Sequence, residues 1–414
     1  MSDESQDQVV PGAEATRRLP EDARIGAEPA HTGVTDSAAD GQGMSHSQQA
    51  EAKQYGRKQL ICDLADKALD VVFLAVMALV VARPLDDGLS GMPGLGPLWS
   101  RLGVLFLMIM LAHIAISFPL SWYSGHVLEH RYGLSRQTFR RWLWRYSKRN
   151  LLAVGFGLLL VEGLYWTIWL TGPLWWLLAA GGFFCVSVIL GQLAPVLILP
   201  LFYKIQRMED PQLASRLNDL TAGTGLSVEG VYRMELSRET VKANAMLAGL
   251  GRTRRVILGD TLLDRFTPEE IEVVFAHEVG HHVHRHLPKM IIIGLVYSAG
   301  SFYLCDLLMA AWVQRWGGHL EYPSFPVYTL PMLMLAITIL SLLMEPLQNT
   351  ISRYFERQSD RYALQRTGHV QAYRSAFRKL ARLNKADPDP HPLEVLLFHS
   401  HPTISQRLAM AERV

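Results

Sequence analysis

The chain is 414 residues long, and 49% of its residues are hydrophobic, most of them in a few long stretches. The formal net charge is only +2 at pH 7, which gives no general electrostatic attraction to nucleic acid. Its cysteines, Cys62, Cys185 and Cys305, are widely spaced, so neither a disulfide framework nor a cysteine metal site is expected. These features predict a membrane protein that binds the lipid bilayer and no nucleic acid.

Residues 1–55 are rich in small and polar residues and contain almost no large apolar side chains. Such a segment cannot bury enough surface to fold, so it is predicted to be a disordered tail. No apolar core follows the first Met at signal-peptide distance, so a cleaved secretion signal is not expected.

Six apolar stretches then approach or reach the length of about 20 residues that a helix needs to cross a bilayer. They are predicted near residues 66–82, 100–121, 151–171, 175–201, 288–313 and 324–345. The chain is thereby divided into spans 1–4 within 56–202, a first soluble part at 203–286, spans 5–6 within 287–345 and a second soluble part at 346–414.

The connection at 122–150 is rich in basic residues, whereas the connections on the other side of the membrane have few. Its basic residues are Arg131, Arg136, Arg140, Arg141, Arg145, Lys148 and Arg149. The positive-inside rule makes this loop cytoplasmic. Alternating the crossings then places both termini and both soluble parts on the cytoplasmic side.

Polar residues also occur within the apolar stretches, namely His113, Glu162, Gln192 and Asp306. A polar group is costly in hydrocarbon, so these side chains are expected to face the bundle interior or a water-filled cavity. These residues could either pair neighbouring helices or contact the substrate, and the sequence does not distinguish the two roles.

The first soluble part begins with a predicted helix at 211–223 and three predicted strands at 228–234, 241–248 and 254–259. Gly249-Leu250-Gly251 predicts a hairpin turn between the last two strands. Because an extended peptide can pair with a strand edge, Asn244 and Ala245 are candidate substrate-binding residues. An ordinary edge strand is the alternative.

Residues 267–286 predict the helix on which the chemistry depends. Thr267 and Glu270 match a capping box that begins this helix. His277 and His281 are four residues apart, so both imidazoles can bind one ion. Glu278 is close enough to polarise a water molecule bound to that ion. This His-Glu-x-x-His arrangement is typical of zinc peptidases. A chance match in a chain with 15 histidines is the alternative, and the capped helix argues against it.

A catalytic zinc usually has three protein ligands and one open position. Glu356 is the candidate third ligand, in a helical run that ends near Gly368, and Asp360 is placed to accept the second ring proton of a zinc histidine. An exposed helix of alternating charge is the alternative.

Three more histidines, His282, His284 and His286, closely follow the motif and could be mistaken for metal ligands. His284 is a rival third ligand, but it would leave the Glu356–Asp360 pair without a role. His282 and His286 are expected to be solvated or interfacial. Near the C-terminus, His401 and Arg407 are candidates to stabilise the negative charge that develops on a carbonyl oxygen during peptide hydrolysis.

Taken together, several motifs resemble the type I CAAX prenyl protease family of integral membrane zinc metallopeptidases over about residues 60–412. The matching motifs are His277-Glu278-Val279-Gly280-His281, Glu356 to Asp360, Asn244-Ala245 and His401-Pro402 to Arg407. The resemblance implies a mostly α-helical, multi-span membrane bundle around a chamber, with a cytoplasmic gluzincin-like zinc metalloprotease domain that contains a small β-sheet. Eukaryotic members of that family have seven spans, one more than the six predicted here.

The resemblance also implies roles for individual residues. One Zn²⁺ is bound by His277, His281 and Glu356, Glu278 activates water, and Asp360 supports a ligand. Asn244 and Ala245 lie along the substrate, and His401 and Arg407 lie near the reacting carbonyl.

The predicted function is hydrolysis of membrane-associated or prenylated peptide and protein substrates, with zinc-activated water and Glu278 as the general base. A heat-shock-type quality-control metalloprotease and a non-catalytic membrane scaffold with a zinc site are the alternatives.

Overall fold

A computed structural model describes residues 44–208, 210–226, 228–248, 254–315 and 321–413. In these ranges the chain is mostly helical and contains one small mixed sheet, which confirms the predicted fold class at this level. The tail prediction for residues 1–43 and the predicted Gly249-Leu250-Gly251 turn lie outside the described residues.

The N-terminal part consists of long helices with short π-helical or 3₁₀ interruptions. They are α1 (His46–Val76), a π turn (Met77–Val81) and α2 (Ala82–Ser90); α3 (Leu98–Trp122), a π turn (Tyr123–Leu128) and α4 (Glu129–Arg131); α5 (Phe139–Thr171) and a 3₁₀ turn (Gly172–Leu174); and α6 (Trp175–Leu193), a π turn (Ala194–Ile198) and α7 (Leu199–Phe202).

Helix α1 begins inside the predicted tail. The Ser45 hydroxyl accepts the Gln48 N–H, and the Gln48 side chain accepts the Ser45 N–H, so the two residues form a capping box. Ala52 and Tyr55 on this first part of the helix are buried. The prediction of disorder was therefore wrong for residues 46–55, because a local cap and long-range packing stabilise a polar helix that composition alone does not indicate.

Among the described residues, five helical segments are long and apolar enough to cross a membrane: His46–Ser90, Leu98–Arg131, Phe139–Phe202, His286–Arg315 and Val327–Thr367. The difference from the six predicted stretches lies in Phe139–Phe202, which contains two of them. Gly172 has a positive φ of 58° at the turn inside this segment, and α6 packs back against α5 beyond it. Six crossings therefore remain a prediction that rests on the turn at Gly172.

The long helices pack in a ring. Helix α1 contacts α3, α3 contacts α5, α5 contacts α6, α6 contacts α11 (His286–Arg315), α11 contacts α12 (Leu330–Thr367), and α12 contacts α1. Large buried side chains from several of these helices share one apolar cluster, including Leu105, Tyr165, Trp175 and Phe302.

Two of the polar residues within the apolar stretches have partners on other elements. The Trp175 indole N–H donates to Asp306 at 2.6 Å, and His113 Nε2 lies 2.7 Å from Asp70 on α1. These contacts favour a role in helix pairing for His113 and Asp306.

The first soluble part contains β1 (Ile205–Arg207), α8 (Pro211–Thr221), β2 (Val228–Met234), β3 (Ala245–Ala248), β4 (Arg254–Gly259) and α9 (Asp260–Leu263). The sheet order is β1-β2-β4-β3, with β2 and β4 parallel and the other two pairs antiparallel. Strand β3 therefore lies at a sheet edge, as predicted, although β1 was not predicted.

Strand β3 is shorter than the predicted strand at 241–248. The residues before it pair with the loop after α4 instead. Thr240 forms a β-bridge with Ser135, and the Val241 N–H donates to the Leu134 carbonyl at 3.1 Å. This connection fixes the segment that leads into Asn244 to the membrane helices.

Helix α10 (Pro268–Val283) begins with the predicted Thr267–Glu270 capping box, which is confirmed. Its motif glycine lets it pack closely on α12, because a Cβ on Gly280 would lie 2.9 Å from the Ser359 Cα atom. Helix α12 ends at Thr367, with Gly368 in the left-handed conformation, as predicted. The remaining helices are α13 (Val370–Asn384), α14 (Pro392–Phe398) and α15 (Ile404–Met410).

Candidate metal centre

The packing of α10 on α12 brings His277, His281 and Glu356 together. His277 Nε2 lies 3.3 Å from Glu356 Oε2, His281 Nε2 lies 3.4 Å from Glu356 Oε1, and the two Nε2 atoms are 3.2 Å apart. One potential ligand atom from each residue falls within a group whose members are all within 4.8 Å of one another. The histidine spacing within α10 and the position of Glu356 on α12 therefore produce one convergent donor set.

Asp360 lies one turn beyond Glu356 on α12 and is fully buried. Its Oδ1 atom is 2.8 Å from His277 Nδ1, so the carboxylate can accept the Nδ1 proton and leave Nε2 directed at the cluster. Burial lowers the pKa of His277, but the carboxylates of Asp360 and Glu356 outweigh it and raise this pKa to about 10. The contact between Asp360 and His277 is the one predicted from the four-residue spacing of Glu356 and Asp360.

His286 supports the second histidine. Its Nδ1 atom lies 3.0 Å from His281 Nδ1, its Nε2 atom lies 2.9 Å from Gln358 Oε1, and its ring stacks on Phe355 at 4.2 Å. The residue is buried, so the expectation that His286 is solvated or interfacial was wrong.

The cause of that error is a break in the helix. Helix α10 ends at Val283, Arg285 adopts a positive φ of 54°, and α11 begins at His286. The chain turns there and brings His286 back towards His281. In a continuous helix these residues, five apart, would lie on different faces. Pro288 is the sequence signal that could have indicated this break, because prolines often follow a helix end closely.

Glu356 also has partners from the C-terminal segment. Arg407 Nη2 donates to Glu356 Oε2 at 2.6 Å, and Arg407 Nη1 lies 3.4 Å from Asp360 Oδ1. His401 Nδ1 lies 2.9 Å from Glu356 Oε2. Arg407 is buried with its guanidinium 4.6 Å from the Phe377 ring centroid, whereas 64% of the His401 side chain is exposed.

Glu278 lies beside the three clustered residues without joining them. It is half-buried and lines a cavity of about 660 Å³ together with Asn244, Ala245, His277 and His401. A second cavity of about 700 Å³ meets the centre from the side of α11 and also includes Glu278. The first cavity is thus lined by seven of the nine predicted site residues: Asn244, Ala245, His277, Glu278, Glu356, His401 and Arg407. His281 lines the second cavity, and Asp360 is buried behind His277.

The donor set fits a metal ion. Two imidazoles and one carboxylate are the ligand types of a catalytic zinc site with an open position, and both histidines have their second ring nitrogen held. In the described part of the chain, no other group of three such residues converges in this way. His284 is outside the set, because its ring stacks on His286 with centroids 5.6 Å apart.

We expect Asp360→Asn to weaken metal binding by about 10- to 100-fold, because the amide cannot hold the His277 ring in the same tautomer and orientation. Competition with a chelator of known affinity measures the change. Asp264→Asn, at a largely exposed position after α9, is the matched control and should leave the affinity unchanged. Equal affinities for both variants would contradict a supporting role for Asp360.

Two family models match the chain. Peptidase family M48 matches residues 207–414, and the model described as CAAX prenyl protease N-terminal, five membrane helices, matches residues 34–204. An uncharacterized metalloprotease of Bacillus subtilis, YhfN, is 29% identical over 313 residues, covering 75% of this chain and 73% of that protein. CAAX prenyl protease 1 of Saccharomyces cerevisiae is 28% identical over 316 residues, covering 72% and 69%.

A solved structure is also similar. The crystal structure of S. mikatae Ste24p superposes with a TM-score of 0.71 at 25% identity and covers 88% of this chain and 89% of that one. These findings confirm the resemblance given by the motifs. The chain therefore belongs to peptidase family M48 and is an integral membrane metalloprotease of the CAAX prenyl protease 1 type.

Proposed function

We propose that the protein is a zinc endopeptidase that cleaves membrane-associated peptides and proteins, including prenylated ones. The observation that supports this best is that His277 and Glu356, two members of the His277–His281–Glu356 group, line a cavity that is also lined by Glu278 and by Ala245 of β3. The donors, a base and a surface for an extended peptide thus occur together.

His277, His281 and Glu356 would hold one zinc ion. When bound, zinc supplies Lewis acidity, which makes water more acidic and polarises a carbonyl oxygen. Asp360 and His286 fix the orientation of the two imidazoles, and Arg407 holds the Glu356 carboxylate by a charge-assisted hydrogen bond.

Glu278 is the proposed general base. It takes a proton from the attacking water and returns it to the leaving amine, so no covalent enzyme intermediate forms. His401 and Arg407 stabilise the developing negative charge on the carbonyl oxygen. His401 has the better access for this task, because most of its side chain is exposed beside the cavity, whereas Arg407 is buried.

The substrate backbone would pair with the free edge of β3. Asn244 is exposed and Ala245 is half-buried, and both line the cavity. Among the strands that the structure describes, β3 pairs only with β4, which leaves its other edge for an added strand. A peptide bound there in extended form would present one bond to Glu278.

Membrane-anchored substrates are favoured by the way the two ligand helices meet the spans. Helix α12 is continuous from Leu330 to Thr367, so Glu356 lies on the same helix as the last apolar stretch. On the other side, α11 begins only five residues after His281. Several relatives are named CAAX prenyl protease 1 or its homolog, which supports the same substrate class.

We further propose that the centre and both termini lie on the cytoplasmic side, which the basic residues of the 122–150 loop support. A cysteine introduced at Glu269 on α10, whose side chain is 44% exposed, should react with an impermeant maleimide only in inverted vesicles. Because Cys185 is also exposed, the unmodified chain is the control for background labelling. Reaction in right-side-out vesicles alone would reverse the assignment.

The function is tested with matched peptides, one prenylated and one not, and purified protein in a reconstituted bilayer. We expect faster cleavage of the prenylated peptide, because the bilayer concentrates it at the interface where the centre lies. Mass spectrometry of the products identifies the cleaved bond. Equal rates on both peptides would leave a general peptidase, and a complete absence of products would favour a non-catalytic scaffold.

A further inference from the structure

A third space, distinct from the two cavities at the metal centre, lies between α1 and α12 beside the metal-site cavity of about 660 Å³. It has a volume of about 490 Å³ and is bounded by α1, α12 and the end of α14. Its walls are mainly aliphatic and aromatic, formed by Leu64, Val71, Val72, Leu342, Leu397 and Phe398. We call this pocket the α1–α12 groove.

The groove contains one ion pair and no net charge. Lys67 Nζ lies 2.7 Å from Glu345 Oε2, and each side chain is about one-third exposed. The methylene stem of Lys67 can cover apolar surface while its ammonium group stays paired. A peptide backbone needs hydrogen-bond partners along its length, and the groove offers polar side chains only at this one ion pair, whereas a hydrocarbon chain needs none.

The groove adjoins the metal-site cavity. Phe398 lines both, and on α1 the cavity residues Leu60 and Asp63 are followed within one turn by Leu64 in the groove. On α12, Leu342 lies 14 residues before Glu356, which is roughly 21 Å at the rise of an α-helix. A chain attached to a residue near the cleaved bond can therefore extend from one space into the other.

We propose that the α1–α12 groove binds the isoprenoid chain of a prenylated substrate while its peptide part occupies the metal-site cavity. This inference rests on the proposed function and adds the place where the lipid is recognised. The chain leaves the bilayer for another apolar surface, so the groove contributes mainly to the position of the attached peptide and little to hydrophobic burial.

The first test fills the groove. Leu342→Trp places a large side chain in it, and Leu343→Trp places the same side chain at the neighbouring position, which is 71% exposed and is not part of the groove. We expect Leu342→Trp to lower kcat/KM for the prenylated peptide by roughly tenfold or more through lost positioning, with little change for the unprenylated peptide. Leu343→Trp should match the unsubstituted protein on both peptides.

The pattern of losses decides between explanations. Equal loss on both peptides in Leu342→Trp would show damage to the centre and would overturn the proposal, as would full activity on both. If the unsubstituted protein cleaves neither peptide, the proposed function fails instead.

A second test locates the chain without relying on cleavage. A peptide whose lipid ends in a diazirine is bound to the Glu278→Gln variant, irradiated, and the adducts are mapped by mass spectrometry. Adducts at Val72, Leu342 and Leu397 are expected, and Leu342→Trp should reduce them. Adducts confined to the second cavity, for example at Met290, or spread over the bilayer-facing surface would overturn the groove assignment while leaving the hydrolytic function intact.

Discussion

Glu278→Gln is expected to abolish peptide hydrolysis while the metal stays bound. Glu278 lines the cavity beside the ligand group but is not part of it, so the substitution removes a proton acceptor and no ligand. General base catalysis contributes about 10²- to 10⁴-fold to a rate, and a loss in this range or above it is expected. Glutamine keeps the size of the side chain and therefore the shape of the cavity wall.

The measurement combines kcat for a peptide substrate with metal content per chain. Glu269→Gln, at a half-buried position in the first turn of the same helix, removes the same charge away from the cavity lining and should leave both values unchanged. Loss of metal in Glu278→Gln would reassign the residue as a ligand. Retained activity would remove the general base from the mechanism.

The parts of the centre that the sequence predicts are those set by spacing along one helix. His277 and His281 share a face because they are four residues apart, and the same spacing places Asp360 behind Glu356. The capping box at Thr267 and the left-handed Gly368 fix the ends of the two helices, and both are readable from local residues. These features depend on residues that are close together in the sequence, so the sequence alone predicts them.

The parts that the sequence does not predict depend on chain reversals and distant contacts. His286 reaches His281 only because Arg285 turns the chain, and although Pro288 indicates that a helix can end nearby, it does not specify which side chains the turn brings together. The beginning of α1 at His46 is stabilised partly by contacts with residues far along the chain, as when Tyr132 donates a hydrogen bond to Gln54. No periodicity in the local sequence specifies either partner.

Glu356→Ala is expected to remove both metal binding and activity. The carboxylate is one of the three clustered donors, and its oxygens lie 3.3 and 3.4 Å from the two imidazoles. The substitution also takes away the closest acceptor of the buried Arg407. Breaking a buried ion pair costs roughly 3–5 kcal/mol, and part of that loss is expected here because Asp360 still faces the guanidinium.

A double substitution separates the ligand role from this stability loss. Combining Glu356→Ala with Arg407→Met removes the buried guanidinium that has lost its Glu356 partner. The midpoint of thermal unfolding should therefore recover relative to Glu356→Ala alone. Metal content should stay at zero in both variants, because the missing donor has not been replaced. If either variant keeps one metal ion per chain, His284 becomes the better third ligand, and its ring must then leave its stack on His286.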